Sequence, residues 1–143
     1  MKNQKKEKAP AFDWIIHFVT DYACQLCGNN DLHFKPNLCN FHTHGMRELY
    51  NHPEFQLVLN IDFNIAGYIL NKLGLMVKEG RRFKACEAVS GIGICDLTLF
   101  EATDNGKPVL RVILPDPSYR LPDDENCEHP YNLQYLSTED LML

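Results

Sequence analysis

The segment from Asp62 to Gly80 constrains this chain more than any other. Ile65, Ala66, Ile69, Leu70, Leu73, Met76 and Val77 recur at three- and four-residue spacing, which gathers them into one apolar stripe along an α-helix. Asp62 suits the N-cap, where a short carboxylate can accept an orphan backbone N–H. Gly80 suits the stop, because it enters the left-handed region without a Cβ penalty. A stripe this wide needs an apolar face to bury it, so the remainder of the 143 residues must supply one. We read the stripe as core rather than as a partner surface.

That face is expected from strands. Phe55-Gln56-Leu57-Val58-Leu59 follows the turn signal Asn51-His52-Pro53 and reads as a buried strand. In the segment from Leu38 to Met46, Phe41, Thr43 and Gly45 alternate with His42 and His44, a period of two that predicts a short strand. The alternating run from Ile94 to Phe100 leads to Asp104-Asn105-Gly106, a hairpin signal. The returning run from Val109 to Leu114 is nearly all apolar, which places it centrally in its sheet. Phe12, Ile15, Ile16, Val19 and Tyr22 sit at helical spacing behind Pro10 and predict an amphipathic helix over 11–23. Residues 24–36, rich in Gly and Asn, read as loop.

Helices and strands do not alternate regularly in this order. The expectation is therefore an α+β fold: a single compact domain over 10–135, with a mainly antiparallel sheet packed with two main helices. Residues 1–9, with four lysines and no core-forming run, read as a disordered basic tail. Residues 116–143 hold seven acidic residues against Arg120 and read as a loop-rich extension, with 136–143 as a C-terminal tail.

Charge and hydropathy remove whole classes. Fourteen Lys+Arg against nineteen Asp+Glu leave −5, which argues against a nucleic-acid partner. No window reaches the length of an apolar membrane span, and no signal peptide is visible, so the expected location is cytoplasmic. Thiols in that compartment stay reduced, which turns attention from disulfides to metal.

Cys24, Cys27, Cys39 and His42 form a C-x2-C-x11-C-x2-H pattern. Zinc takes four tetrahedral N/S ligands, and two-residue spacers let each pair reach one ion. Residues 24–42 are therefore the candidate segment for a structural zinc, with His33 and His44 as spare ligands and Cys127-Glu128-His129 as a weaker extension. Cys86 and Cys95 lie in apolar surroundings and read as small core residues.

A second constellation joins His42, His44, Glu48, His52 and Glu54, imidazoles and carboxylates suited to proton transfer or binding. Arg111 interrupts an apolar strand and must be paired or face a cleft, with Glu48, Glu101 and Asp116 as candidate partners. No nucleophile elbow, Walker loop, dinucleotide fingerprint or H-E-x-x-H motif accompanies them.

Asn40 to Met46 with His52-Pro53-Glu54, the segment from Ile69 to Gly74, Gly80-Arg81-Arg82-Phe83, and the run from Val109 to Asp116 occur in a telling order. Over about residues 39–135 the chain resembles the bacterial family called domain of unknown function 4262. Many members have Tyr-Thr-Ile-Gly-Leu where this chain has His42 to Met46, whereas His52 keeps its place. The resemblance implies a compact bacterial α+β domain and carries no mechanism. Two functions follow as expectations. The first is a binding or interaction domain for a protein or small-molecule partner, with structural zinc at Cys24, Cys27, Cys39 and His42. The other is a small hydrolase or transferase whose cleft gathers His44, His52, Glu48 and Arg111.

Overall fold

The computed structural model describes residues 13–19, 34–93 and 96–142. Six strands form one sheet: β1 (Ile15–Val19), β2 (Leu38–His44), β3 (Glu54–Leu59), β4 (Ala88–Val89), β5 (Leu97–Asp104) and β6 (Lys107–Ile113). Their spatial order is β1-β2-β3-β6-β5-β4. β3 and β6 run parallel, and the other neighbouring pairs are antiparallel. The fold is thus α+β with a mostly antiparallel sheet, and β6 is central, as its apolar run predicts.

Two helices accompany the sheet, α1 (Met46–Tyr50) and α2 (Phe63–Lys78). In α2, Asp62 caps the first turn by accepting the Asn64 N–H at 2.8 Å, and Gly80 follows with φ 109°. Ala66, Ile69, Leu70, Leu73 and Val77 are buried, and they share one core with Phe55, Leu57 and Leu59 of β3. The outward positions Phe63, Ile65 and Tyr68 are exposed, so the buried stripe is narrower than the sequence pattern. The β5–β6 hairpin closes on Asn105 and Gly106, both with positive φ (54° and 79°), as a two-residue turn requires.

The helix expected over 11–23 is overturned where the chain is described. Ile15–Val19 is a strand, paired antiparallel with β2 from Ile15↔His44 to Val19↔Asn40. Ile15, Ile16, Phe18 and Val19 are β-branched or aromatic, and β2 offers an edge for them to extend. The second helix is α1 instead, a single turn after β2 whose only sequence signal was too short to show periodicity. Cys86 also departs from expectation: it is exposed, in a turn with φ 68°. Cys95 lies outside the described residues.

Residues 131–142 form no loose end. They carry two short 3-10 turns, Tyr131–Leu133 and Glu139–Leu141, and bury Gln134, Thr138 and Leu141. Phe34 bridges Met142, and the Lys35 N–H donates to the Leu141 carbonyl at 3.0 Å. This C-terminal strap lies over the sheet face that carries Gln56 and Arg111, and Tyr135 stacks on Phe100 of β5 with ring centroids 4.6 Å apart.

Candidate functional site

One cleft gathers several of the residues singled out in the sequence. His42, Thr43 and His44 come from the end of β2, Arg47 and Glu48 from α1, and Glu54 from the start of β3. Asp104, Asn105, Lys107 and Val109 come from the β5–β6 turn and the first residues of β6. Its volume is about 200 Å³. β2 and β5 are not neighbours, so the cleft exists because β3 and β6 run parallel and start at the same end of the sheet.

Glu54 builds the wall rather than the ligand site. Its Oε1 accepts from the Thr43 hydroxyl at 2.8 Å and the Met46 N–H at 3.1 Å. Its Oε2 accepts from the Gly45 and Arg47 N–H groups, both at 3.2 Å. The carboxylate thereby satisfies the orphan donors of α1 and fixes that turn against β2. Thr43 Oγ1 in turn accepts the Phe55 N–H at 2.9 Å. The Arg47 guanidinium donates to the Pro108 carbonyl and ties α1 to β6. Glu48 and Lys107 remain exposed at the rim, and His44 and Asp104 are half-buried.

From Asp104 a polar chain runs inward. The Asn40 side-chain amide donates to Asp104 Oδ2 at 3.1 Å and accepts from Gln56 Nε2 at 3.0 Å. Gln56 Oε1 accepts from Arg111 Nε at 2.7 Å. Arg111 then donates through Nη1 to the Gln134 carbonyl at 2.7 Å and to the Leu136 carbonyl, and through Nη2 to Thr138 Oγ1 at 3.1 Å. Burial pulls the Arg111 pKa down to about 10, while the Asp104 and Glu139 carboxylates act in the opposite sense. The guanidinium stays charged at neutral pH, with its fork spent on neutral oxygens of the strap.

Two of the four catalytic candidates are therefore removed from the cleft. Arg111 is fully buried, and its hydrogen bonds go to Gln56 and the strap, not to the expected Glu48, Glu101 or Asp116. His52 is also buried, behind Phe55 and Phe83. Its Nδ1 meets the Pro53 carbonyl at 2.8 Å, and its Nε2 accepts the Phe83 N–H at 3.0 Å. This pattern is that of a neutral ring with the proton on Nδ1, clamping the 80–83 turn to β3. His44 and Glu48 do meet in the cleft, together with His42.

Cys24 and Cys27 lie outside the described residues. Cys39 is enclosed in the apolar core, and His42 lines the cleft. Among the described residues no group of three or more His, Cys, Asp or Glu side chains is placed to hold a metal ion. Cys127 is buried, its thiol donates to the Arg120 carbonyl at 3.4 Å, and burial pushes its pKa up, which keeps it protonated. No helix among the described residues is long and apolar enough to cross a membrane.

Sequence reasoning missed Arg47, Asp104 and Lys107. The Asp104-Asn105-Gly106 signal named a turn, but nothing local shows that this turn stands beside the end of β2. No family model matches the chain, and neither a curated protein nor a solved structure matches it.

Proposed function

We propose that this chain is a binding domain whose cleft takes a small polar molecule carrying both a positive and a negative group. The observation that supports it is the convergence of both charge signs on one concavity: Asp104 and Lys107 pair across the β5–β6 turn, Glu48 comes from α1 and His44 from the end of β2. A zwitterion complements both signs of such a lining, whereas a ligand of one sign complements only one of them. The hydrolase reading loses Arg111 and His52 to internal hydrogen bonds, which leaves binding as the better-supported class. The kinship proposed with domain of unknown function 4262 rests on segments that fall on β2, α2 and β6 and on the turn that His52 clamps.

A panel of free amino acids, followed through backbone amide shifts in NMR, tests the cleft. At least one member should shift the amides of Glu48, Asn105 and Lys107 saturably. Lys107→Ala and Glu48→Gln should each weaken that probe about tenfold, the worth of one charge-assisted contact. A panel that leaves those three amides in place sinks the reading.

A further inference from the structure

The opposite end of the parallel pair carries a second concavity. Where β3 and β6 leave the sheet, a shallow groove of about 270 Å³ runs between Ile61, Leu114, Pro115, Pro117, Tyr119 and Tyr131. Tyr119 is 71 % exposed, more than any other large hydrophobic among the described residues. Its φ is 63°, a left-handed conformation that costs a side-chain-bearing residue about 1 kcal/mol or more. The loop is built to hold that conformation. Asp116 is buried, and its Oδ1 accepts the Ser118 and Arg120 N–H groups at 2.9 and 2.8 Å. Its Oδ2 accepts Arg120 Nε at 3.1 Å and the Glu128 N–H at 2.9 Å. The Tyr119 N–H donates to the Asp116 carbonyl at 2.8 Å. A buried carboxylate with four donors thus fixes an aromatic ring outward, where the ring itself gains nothing from the core.

Two tyrosine rings and two prolines make a floor suited to proline side chains, which pack on aromatic faces as preformed extended helices at low ordering cost. The surroundings set the charge of the partner. Along the chain between the two tyrosines stand the exposed Asp123, Asp124, Glu125 and Glu128 against Arg120 alone. Arg120 is itself engaged by Asp116 and Glu128 at 3.1 and 3.4 Å. We infer that this groove docks a basic, proline-rich peptide segment of a partner protein, with prolines on Tyr119 and Tyr131 and basic side chains over the acidic 123–128 loop. The surface is separate from the cleft, so either site can fail without the other.

The test is fluorescence anisotropy of the full chain with a labelled peptide of repeated Arg-Pro-Pro triplets. Saturable binding that weakens with added salt is expected. Peptides of Arg-Ala-Ala and of Gln-Pro-Pro triplets should bind at least about tenfold more weakly, and Tyr119→Asn should cost the Arg-Pro-Pro peptide a similar factor. Asn tolerates the left-handed backbone, so this variant removes the ring and spares the loop. Tyr131→Leu, which keeps bulk and removes the phenol, should weaken binding as well and guards against a local loss of the loop. Equal binding of the Arg-Ala-Ala peptide, equal binding of the Gln-Pro-Pro peptide, unchanged affinity in both variants, or no saturable binding would each overturn the proposal.

Discussion

His52 shows how one residue type can carry two opposite meanings. The sequence places it beside Glu48 and His44 as proton-transfer chemistry, yet the ring serves as a bracket between Pro53 and Phe83. Its environment makes a pH prediction. Burial lowers its pKa below the ordinary 6.5, opposed by the Pro53 carbonyl and assisted by the Arg82 charge. In the unfolded chain the ring takes up a proton near its ordinary value, and in the folded chain only at lower pH. The contribution of the neutral ring to stability is therefore whole above 6.5 and is lost as pH falls through the lowered value. The melting temperature should drop as pH falls below 6.5, more steeply than in His52→Gln. A ring carbon resonance of His52 that titrates at or above 6.5 would contradict this account.

Within elements, the two glycines of α2 separate propensity from packing. A Cβ on Gly67 would meet nothing within 4 Å, so Gly67→Ala should stabilise by about 0.5–1 kcal/mol through backbone entropy alone. A Cβ on Gly74 would stand 2.6 Å from Trp14 Cζ2 and 2.7 Å from Cε2. Trp14 is buried and its Nε1–H donates to Asn71 Oδ1 at 2.9 Å, so the ring has little room to yield. Gly74→Ala should therefore destabilise by roughly 1–2 kcal/mol despite the better propensity of alanine. Thermal melts that move in the same direction would show that Trp14 does not set the close approach. The same contact helps explain why β1 is a strand. The apolar spacing around Ile15 fits helix and strand about equally, and the partner that decides, β2, is more than twenty residues away in the chain.

At the scale of the molecule, the strap over 131–142 closes the sheet. It covers Arg111 and Gln56, which with Asn40 are three buried polar side chains whose hydrogen bonds form one connected set. Removing residues 131–143 would leave the Arg111 fork without Gln134, Leu136 and Thr138. A loss of roughly 3 kcal/mol follows, which corresponds to a melting temperature lower by about 10 °C. A truncated chain melting within about 2 °C of the intact one would show that the strap is dispensable. The acidic composition of the C-terminal segment suggested solvent exposure, but the strap buries Gln134, Thr138 and Leu141, and three such positions leave almost no mark on composition.

What local chemistry dictates was legible along the chain. The cap and stop of α2, the Asn105-Gly106 turn and the extended backbone of β2 each depend on neighbours within a few residues and formed as the sequence demands. By contrast, β2 is buried on both faces and the α2 stripe is narrower than its pattern. The tertiary structure alone decided which polar residues reach solvent. Arg111 and His52 look like His44 and Glu48 in sequence, because charge and hydrogen-bonding capacity are carried by the residue type. Whether that capacity is spent inside depends on what lies across the sheet, and here the facing groups are Gln56 and a strap more than twenty residues away for Arg111, and Phe83 for His52.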